Sequence, residues 1–200
     1  MVELRHALAL GLIEEGKKVL DLGSEDGIFV DLLIKERGCN VTASDVDQSC
    51  VKKLLARKIN AVVCDVEREL PKGDFDYITC LDVIEHLKRP EIFLENLKKT
   101  YPNSLIVIST PNACWWKDRL SILFGKIPRR NAYSKSAGKY AHKMTLHYWL
   151  WSYSQFKEFL MQNGLKILEE RYKYVPHIPF PKNWFIYSYA LKVGGDESRK

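Results

Sequence analysis

Apolar positions in the first hundred residues follow two alternating rhythms. Short runs rich in branched residues, Lys18 to Leu22, Asn40 to Ser44, Ala61 to Cys64, Phe75 to Cys80 and Ser104 to Ser109, read as buried strands. Amphipathic stretches between them predict helices from about Glu3 to Glu15, Ile28 to Arg37, Asp47 to Lys58 and Pro90 to Lys99. Two of these carry start signals. Asp47 is a good N-cap, and Pro90 suits a first turn, where its missing N–H is not needed. Alternation of this kind predicts an α/β sheet with parallel strands and helices on both faces.

The rhythm stops after Pro111. About forty residues rich in Trp, Tyr, Lys and Arg follow, and all five tryptophans lie beyond Cys114. Order returns at Ser152, whose spacing to Gln155 makes a capping box. That helix runs through Phe156, Phe159 and Leu160 and stops at Asn163-Gly164. Strands are expected at about Lys166 to Tyr174 and Trp184 to Val193, and Gly194 to Lys200 is expected to be a disordered tail.

Two hundred residues at 46% hydrophobic content suffice for one buried core, so a single domain is expected. Cys39, Cys50, Cys64, Cys80 and Cys114 are odd in number and form no CxxC pair. That argues against a disulfide framework and a cysteine zinc site, and favours a reducing, cytoplasmic location. The apolar run Ala7 to Ile13 is too short to span a membrane, and no export signal is expected. The net charge of +6 is concentrated. Ala113 to Trp151 holds eight basic residues against the single acid Asp118, a patch that would attract anionic partners.

The most specific stretch is Asp21-Leu22-Gly23-Ser24-Glu25-Asp26-Gly27, an apolar strand entering a glycine bend and then a helix. Glycines let the backbone turn tightly and approach a ligand, and the helix start offers N–H groups. The dinucleotide fingerprint GxGxxG does not fit, because Glu25 and Ile28 occupy its second and third glycine positions. The stretch instead resembles the (D/E)xGxGxG turn of class I S-adenosylmethionine-dependent methyltransferases, matching at Asp21, Gly23 and Gly27 and departing at Glu25. Asp45 after the second strand, Cys64-Asp65-Val66 after the third, and Phe75-Asp76-Tyr77 leading to Leu81-Asp82-Val83-Ile84-Glu85-His86-Leu87 are similar to that family's later motifs.

The resemblance implies a Rossmann-like α/β fold, a seven-stranded, mostly parallel sheet with helices on both faces and an antiparallel C-terminal strand. It also implies S-adenosylmethionine as cofactor, with Asp45 on the ribose diol, Val46 and Val66 beside the adenine, Asp65 on its amino group, and Asp21, Gly23, Gly27, Cys80 and Leu81 lining the rest. Read on the residues alone, the alternative is that Asp45 and Asp65 are turn acids after strands.

Within the family, the segment after Pro111 is similar to the acceptor-covering insertion of type 11/12 methyltransferases, and the chain resembles the methionine-biosynthesis W-type proteins among them. Residues 1–111 then form the donor half, 112–151 a lid over the acceptor, and 152–193 the C-terminal helix and strands. A helix from Ala113 to Ile127 would place Trp115, Trp116, Leu120, Leu123 and Phe124 on one face, to cover the core, pair subunits or rest on a membrane interface. Trp115, Trp116, Tyr140, His142 and His147 are the expected acceptor-binding residues, with Tyr133 and Tyr148 as further aromatics near them.

His86 and Glu85 are the expected catalytic groups. Some relatives bind a divalent metal through ExxEH, but the DxxEH run Asp82 to His86 is read here without metal. The acceptor is expected to be a small molecule or lipid precursor, anionic or lipid-linked, with peripheral membrane contact open. An RNA substrate and a non-catalytic donor-binding role are the alternatives. The fourth strand lacks the (D/N)PP(Y/F) run used on base nitrogens, which weighs against nucleic acid.

Overall fold

The computed structural model describes residues 4–126, 147–174 and 186–195. The elements run α1 (Leu4–Leu10), β1 (Lys18–Leu22), α2 (Ile28–Arg37), β2 (Asn40–Asp45), α3 (Gln48–Ala56), β3 (Asn60–Val63), β4 (Tyr77–Leu81), a 3-10 turn (Ile84–His86), α4 (Pro90–Thr100), β5 (Leu105–Ser109), α5 (Trp116–Leu123), α6 (Tyr153–Gln162), β6 (Leu165–Tyr174) and β7 (Ile186–Gly195). The strands form one sheet in the order β3-β2-β1-β4-β5-β7-β6. β1 to β5 are mutually parallel, and β7 lies antiparallel between β5 and β6.

Alternation along the central strands divides the interior into two layers. Leu20, Leu22, Ile78, Cys80, Ile106 and Ile108 pack against Phe93, Leu94 and Leu97 of α4 and Phe156 and Leu160 of α6. Val19, Val41, Ala43, Tyr77 and Val107 face Ala9 of α1, Phe29, Val30 and Leu33 of α2, and Val51 and Leu54 of α3.

Local chemistry sets the helix ends. Gly27 and Gly38 bracket α2 in left-handed conformation, and the N–H groups of Gly38 and Cys39 close onto Ile34 and Leu33. Asp47 accepts the Ser49 N–H at 2.7 Å to start α3. At α6, Ser152 and Gln155 form the expected capping box. α1 is shorter than expected, because Gly11 follows its last turn and the chain tightens so that Leu12 and Ile13 drop into the core. Likewise the helix expected from Ala113 to Ile127 spans only Trp116–Leu123, and β7 continues through Gly195, two residues into the expected tail.

Candidate functional site

The carboxyl ends of β1, β2 and β4 meet at one edge of the sheet, where open α/β sheets bind ligands. The bend from Gly23 to Gly27 is tied to the end of β2. The N–H groups of Gly23 and Ser24 both donate to the Ser44 carbonyl, at 2.8 and 2.9 Å, and the Ser24 hydroxyl donates to the Asp21 carbonyl. Gly23 and Gly27 have φ of +77° and +78°, and a Cβ would overlap Val83 at the first and Leu54 at the second. Both glycines are therefore required twice, by conformation and by space.

Asp45 closes this corner. Its Oδ2 accepts the Glu25 N–H and its Oδ1 accepts the Asp47 N–H, each at 2.8 Å. Each carboxylate oxygen has two lone pairs, so one acceptor position per oxygen remains for a diol. Glu25 itself is exposed, with a left-handed φ of +46°. Next to Asp45, Val46 is exposed and free of core packing. Asp65 lies one strand over, two residues beyond Val63, which pairs with Asp45. Its Oδ1 accepts the Glu67 N–H and its Oδ2 faces Arg68 at 3.2 Å, so it also shapes its own turn. Val66 packs against the core. The residues thus fit a nucleoside held by the two strand-tip acids.

Other members of the expected donor set are deep. Asp21 is buried beneath the bend and accepts the Thr79 hydroxyl at 2.5 Å. The side chains of Cys80 and Leu81 face the interior layers, leaving only their backbone for a ligand. Burial pushes the Asp21 carboxyl from about 3.8 up to about 6. An acid raised on folding binds its proton more tightly in the native state, so its stabilising contribution is full below about pH 3.8 and is lost as pH rises through about 6. Asp21→Asn, which keeps an acceptor for Thr79, is expected to gain stability relative to the natural protein by about 2–3 kcal/mol between pH 4 and pH 7, read by urea unfolding at both values. An unchanged difference would mean that Asp21 is ionised at little cost.

On the other side of the bend, the turn after β4 brings a second group together. Asp82, at φ +54°, accepts the Ser109 hydroxyl at 2.8 Å and pairs with Arg5 of α1. Glu85 is 1% exposed, and neither carboxylate oxygen has a hydrogen-bond partner among the described residues. The Thr110 side chain approaches it without reaching hydrogen-bond geometry. Burial, helped by Asp82, pushes the Glu85 carboxyl well above the usual range.

The chain beyond the insertion is clamped to this turn. Tyr148 and Trp149 donate their N–H groups to the Glu85 carbonyl at 2.9 and 3.3 Å, and the Trp149 indole donates to the Leu87 carbonyl at 2.9 Å. This sets the His147 ring edge-on to His86, with centroids 4.7 Å apart.

The insertion is knitted at its two ends. Ala113 donates to the Trp151 carbonyl, and Asn112 donates to the Ile186 carbonyl while accepting the Cys114 and Tyr153 N–H groups. Trp115 and Trp116 pair edge to face at the start of α5. Leu123 and Phe124 are 77% and 70% exposed among the described residues, so this part of the helix does not cover the described core. Tyr133, Tyr140 and His142 lie outside the described residues. Arg5 and Thr79 were given no role from the sequence, and Thr110 and Asn112 were read only as letters of the run that leads into the insertion. Arg5, Thr79 and Asn112 act through partners far along the chain, which local pattern does not reveal.

A family model described as a methyltransferase domain matches residues 1–170. The chain is similar to the mitochondrial ubiquinone biosynthesis O-methyltransferase of Schizosaccharomyces pombe, 31% identical over 105 residues that make up 48% of this chain and 38% of that protein. It spans 35 to 50% of the length of the curated relatives it matches. Among solved structures it is similar to a small RNA methyltransferase, with TM-score 0.70 and 19% identity over 96% of this chain and 25% of that one. It is also similar to the magnesium protoporphyrin IX methyltransferase of Synechocystis with bound S-adenosylhomocysteine, with TM-score 0.60 and 16% identity over 90% and 74% of the two chains. At these identities the structural likenesses establish the fold.

Proposed function

The chain belongs to the methyltransferase domain family, and from that premise we propose that it moves a methyl group from S-adenosylmethionine to an oxygen-bearing small-molecule acceptor. The observation that carries the reading is the corner at Asp45. One carboxylate fastens the glycine bend to the end of β2 while keeping acceptor positions for a ribose diol, and Asp65 stands at the adjacent strand tip.

In this reading Asp45 grips the ribose and Asp65 the adenine amino group. Val46 and Val66 flank the ring, and Gly23 and Gly27 admit the methionine end. Asp21 supports the bend from below, and Cys80 and Leu81 contribute backbone only. The bound donor supplies an already activated methyl on a sulfonium, so the protein mainly aligns and desolvates the acceptor. Glu85 and His86 stand just past Val83, whose side chain abuts Gly23, and so face the acceptor from the far side of the bend. His147 joins them, and Trp115 and Trp116 are assigned to the wall over the acceptor, while Tyr140 and His142, outside the described residues, are proposed as acceptor-binding residues.

The acceptor class rests on similarity to proteins named for ubiquinone biosynthesis. A lipid-linked or anionic acceptor suits the basic insertion and the exposed Leu123 and Phe124, which would touch a membrane surface. No helix of the described residues is long and apolar enough to cross a membrane. The described cysteines are all free, which suits a reducing compartment such as the cytoplasm.

Calorimetry with S-adenosylhomocysteine, followed by transfer of labelled methyl from the donor into cell extract, tests the proposal. Expected are saturable binding and label in the small-molecule or lipid fraction. No binding by folded protein would overturn it. Label in RNA, with salt-sensitive retention of tRNA on filters, would transfer the reading to a nucleic-acid acceptor.

A further inference from the structure

We infer that Arg57, which caps the end of α3, is a positioning residue for the donor: its guanidinium fixes the orientation of the peptide between Asp26 and Gly27 in the glycine bend. Arg57 has this role only if the donor lies over the bend, as the methyl-transfer reading places it. Its Nη1 donates to the Asp26 carbonyl at 2.8 Å, from 31 residues further along the chain. Its Nη2 pairs with the Asp31 carboxylate, one turn into α2.

The bend needs such a hold. Three of its five residues have positive φ, Gly23 at +77°, Glu25 at +46° and Gly27 at +78°. Its first half is tied to β2, through the Gly23 and Ser24 N–H groups on the Ser44 carbonyl and the Glu25 N–H on Asp45. Its second half bonds mainly to itself. The Gly27 N–H donates to the Ser24 carbonyl at 2.8 Å and the Ile28 N–H to the Asp26 carboxylate at 3.3 Å. Glycine adopts either sign of φ at similar energy, so Gly27 by itself does not stop the peptide before it from turning over. Carbonyl and N–H of a trans peptide point in opposite directions. By drawing the Asp26 carbonyl towards α3, Arg57 therefore keeps the Gly27 N–H directed into the bend. Turned over, this peptide would offer a carbonyl oxygen where the carboxylate of the donor's methionine end needs N–H groups.

Packing and charge fit this role. A Cβ built on Gly27 would lie 3.1 Å from the Arg57 Nη1, so the guanidinium rests directly against the glycine. Asp31 holds the other arm of the planar fork, so Arg57 leaves the carbonyl only by breaking an ion pair as well. The Arg57 and Asp31 side chains are 38% and 34% exposed, and pairs this exposed add little to stability. Their effect therefore falls on the orientation of one peptide and not on the fold. That separates Arg57 from Leu54, which also touches Gly27 but is fully buried, so that its loss would destabilise the whole layer.

Calorimetry with S-adenosylhomocysteine on the full chain tests the role. Arg57→Ala is expected to weaken binding about tenfold, because only chains with the peptide correctly turned bind. Its Tm should fall by no more than about 4 °C. Hydrogen exchange at the Gly27 amide, followed by NMR without ligand, should speed up by about the same tenfold as the peptide is released. Added methylguanidinium should restore most of the affinity, and Arg57→Lys, which keeps a donor but not the fork, should fall between the two. Asp31→Asn should show a smaller loss in the same direction and serves as the second variant should Arg57→Ala misfold. A purely structural role would lower Tm without selective loss or rescue of binding, and overturns the inference. Full affinity in Arg57→Ala also overturns it while leaving the donor reading intact. Failure of the natural chain to bind the nucleoside overturns both.

Discussion

Asp45→Ala is expected to weaken S-adenosylhomocysteine binding by about 100-fold, or about 2.7 kcal/mol, while the chain stays folded. The carboxylate accepts two backbone N–H groups at 2.8 Å, from Glu25 in the bend and Asp47 before α3. Hydrogen bonds to a charged group contribute roughly 1.5–3 kcal/mol each. Alanine removes the hold on the bend and the ribose acceptors together. Asp45→Asn keeps one carbonyl oxygen and is expected to lose about tenfold. Asp65→Ala should cost less than Asp45→Ala, because the Asp65 side chain is more exposed and already shared with Arg68 and the Glu67 N–H. Calorimetry on the three variants gives the order. Full affinity in Asp45→Ala would place the nucleoside elsewhere.

Gly23→Ala is expected to lower stability by about 3 kcal/mol, with Tm falling by roughly 6–12 °C. A left-handed backbone costs an L-residue about 1–2 kcal/mol. The added methyl would also overlap the Val83 side chain, and overpacking costs about 1–3 kcal/mol. Gly38→Ala separates the two terms. Gly38 has φ +61° but nothing within 4 Å of a built Cβ, so it should pay the conformational cost alone, about 1 kcal/mol. Adding Val83→Ala to Gly23→Ala relieves the overlap but creates a small void, so only part of the loss should return. Equal losses in Gly23→Ala and Gly38→Ala would show that the bend does not press on the turn carrying Glu85 and His86.

In the proposed reading Val83 lies between the donor bend and the acceptor-side turn, so Gly23→Ala should also weaken nucleoside binding more than its stability loss alone explains.

Much of the frame was readable from local pattern. α2 falls on its expected bounds because glycines with positive φ close both ends, and α6 starts where its capping box requires. The central strands agree to within two residues, since a strand buried on both faces needs a continuous apolar run whatever its neighbours. The first helix and the one after Pro111 were overextended, because apolar periodicity continues past the point where Gly11 turns the chain or where α5 ends.

The corner proposed for the donor was legible as a grouping because its parts sit at fixed offsets from strand ends, and strand ends in a parallel sheet are brought to one edge by topology. The grouping of Glu85, His86 and His147 was not. The run from Asp82 to His86 proposes three neighbours, but side-chain direction after a strand depends on the turn. The left-handed Asp82 sends its carboxylate to Ser109 and Arg5, and the 3-10 turn sends Glu85 inward.

The sequence by itself determined the strand and helix order, the glycine bend and the acids at the strand tips, since each follows from periodicity or from backbone conformations that few residues adopt. Only the tertiary structure decided which groups stand beside Glu85. His147 reaches it through hydrogen bonds to a carbonyl some sixty residues earlier, and an attraction between segments so far apart leaves no periodic trace in either one.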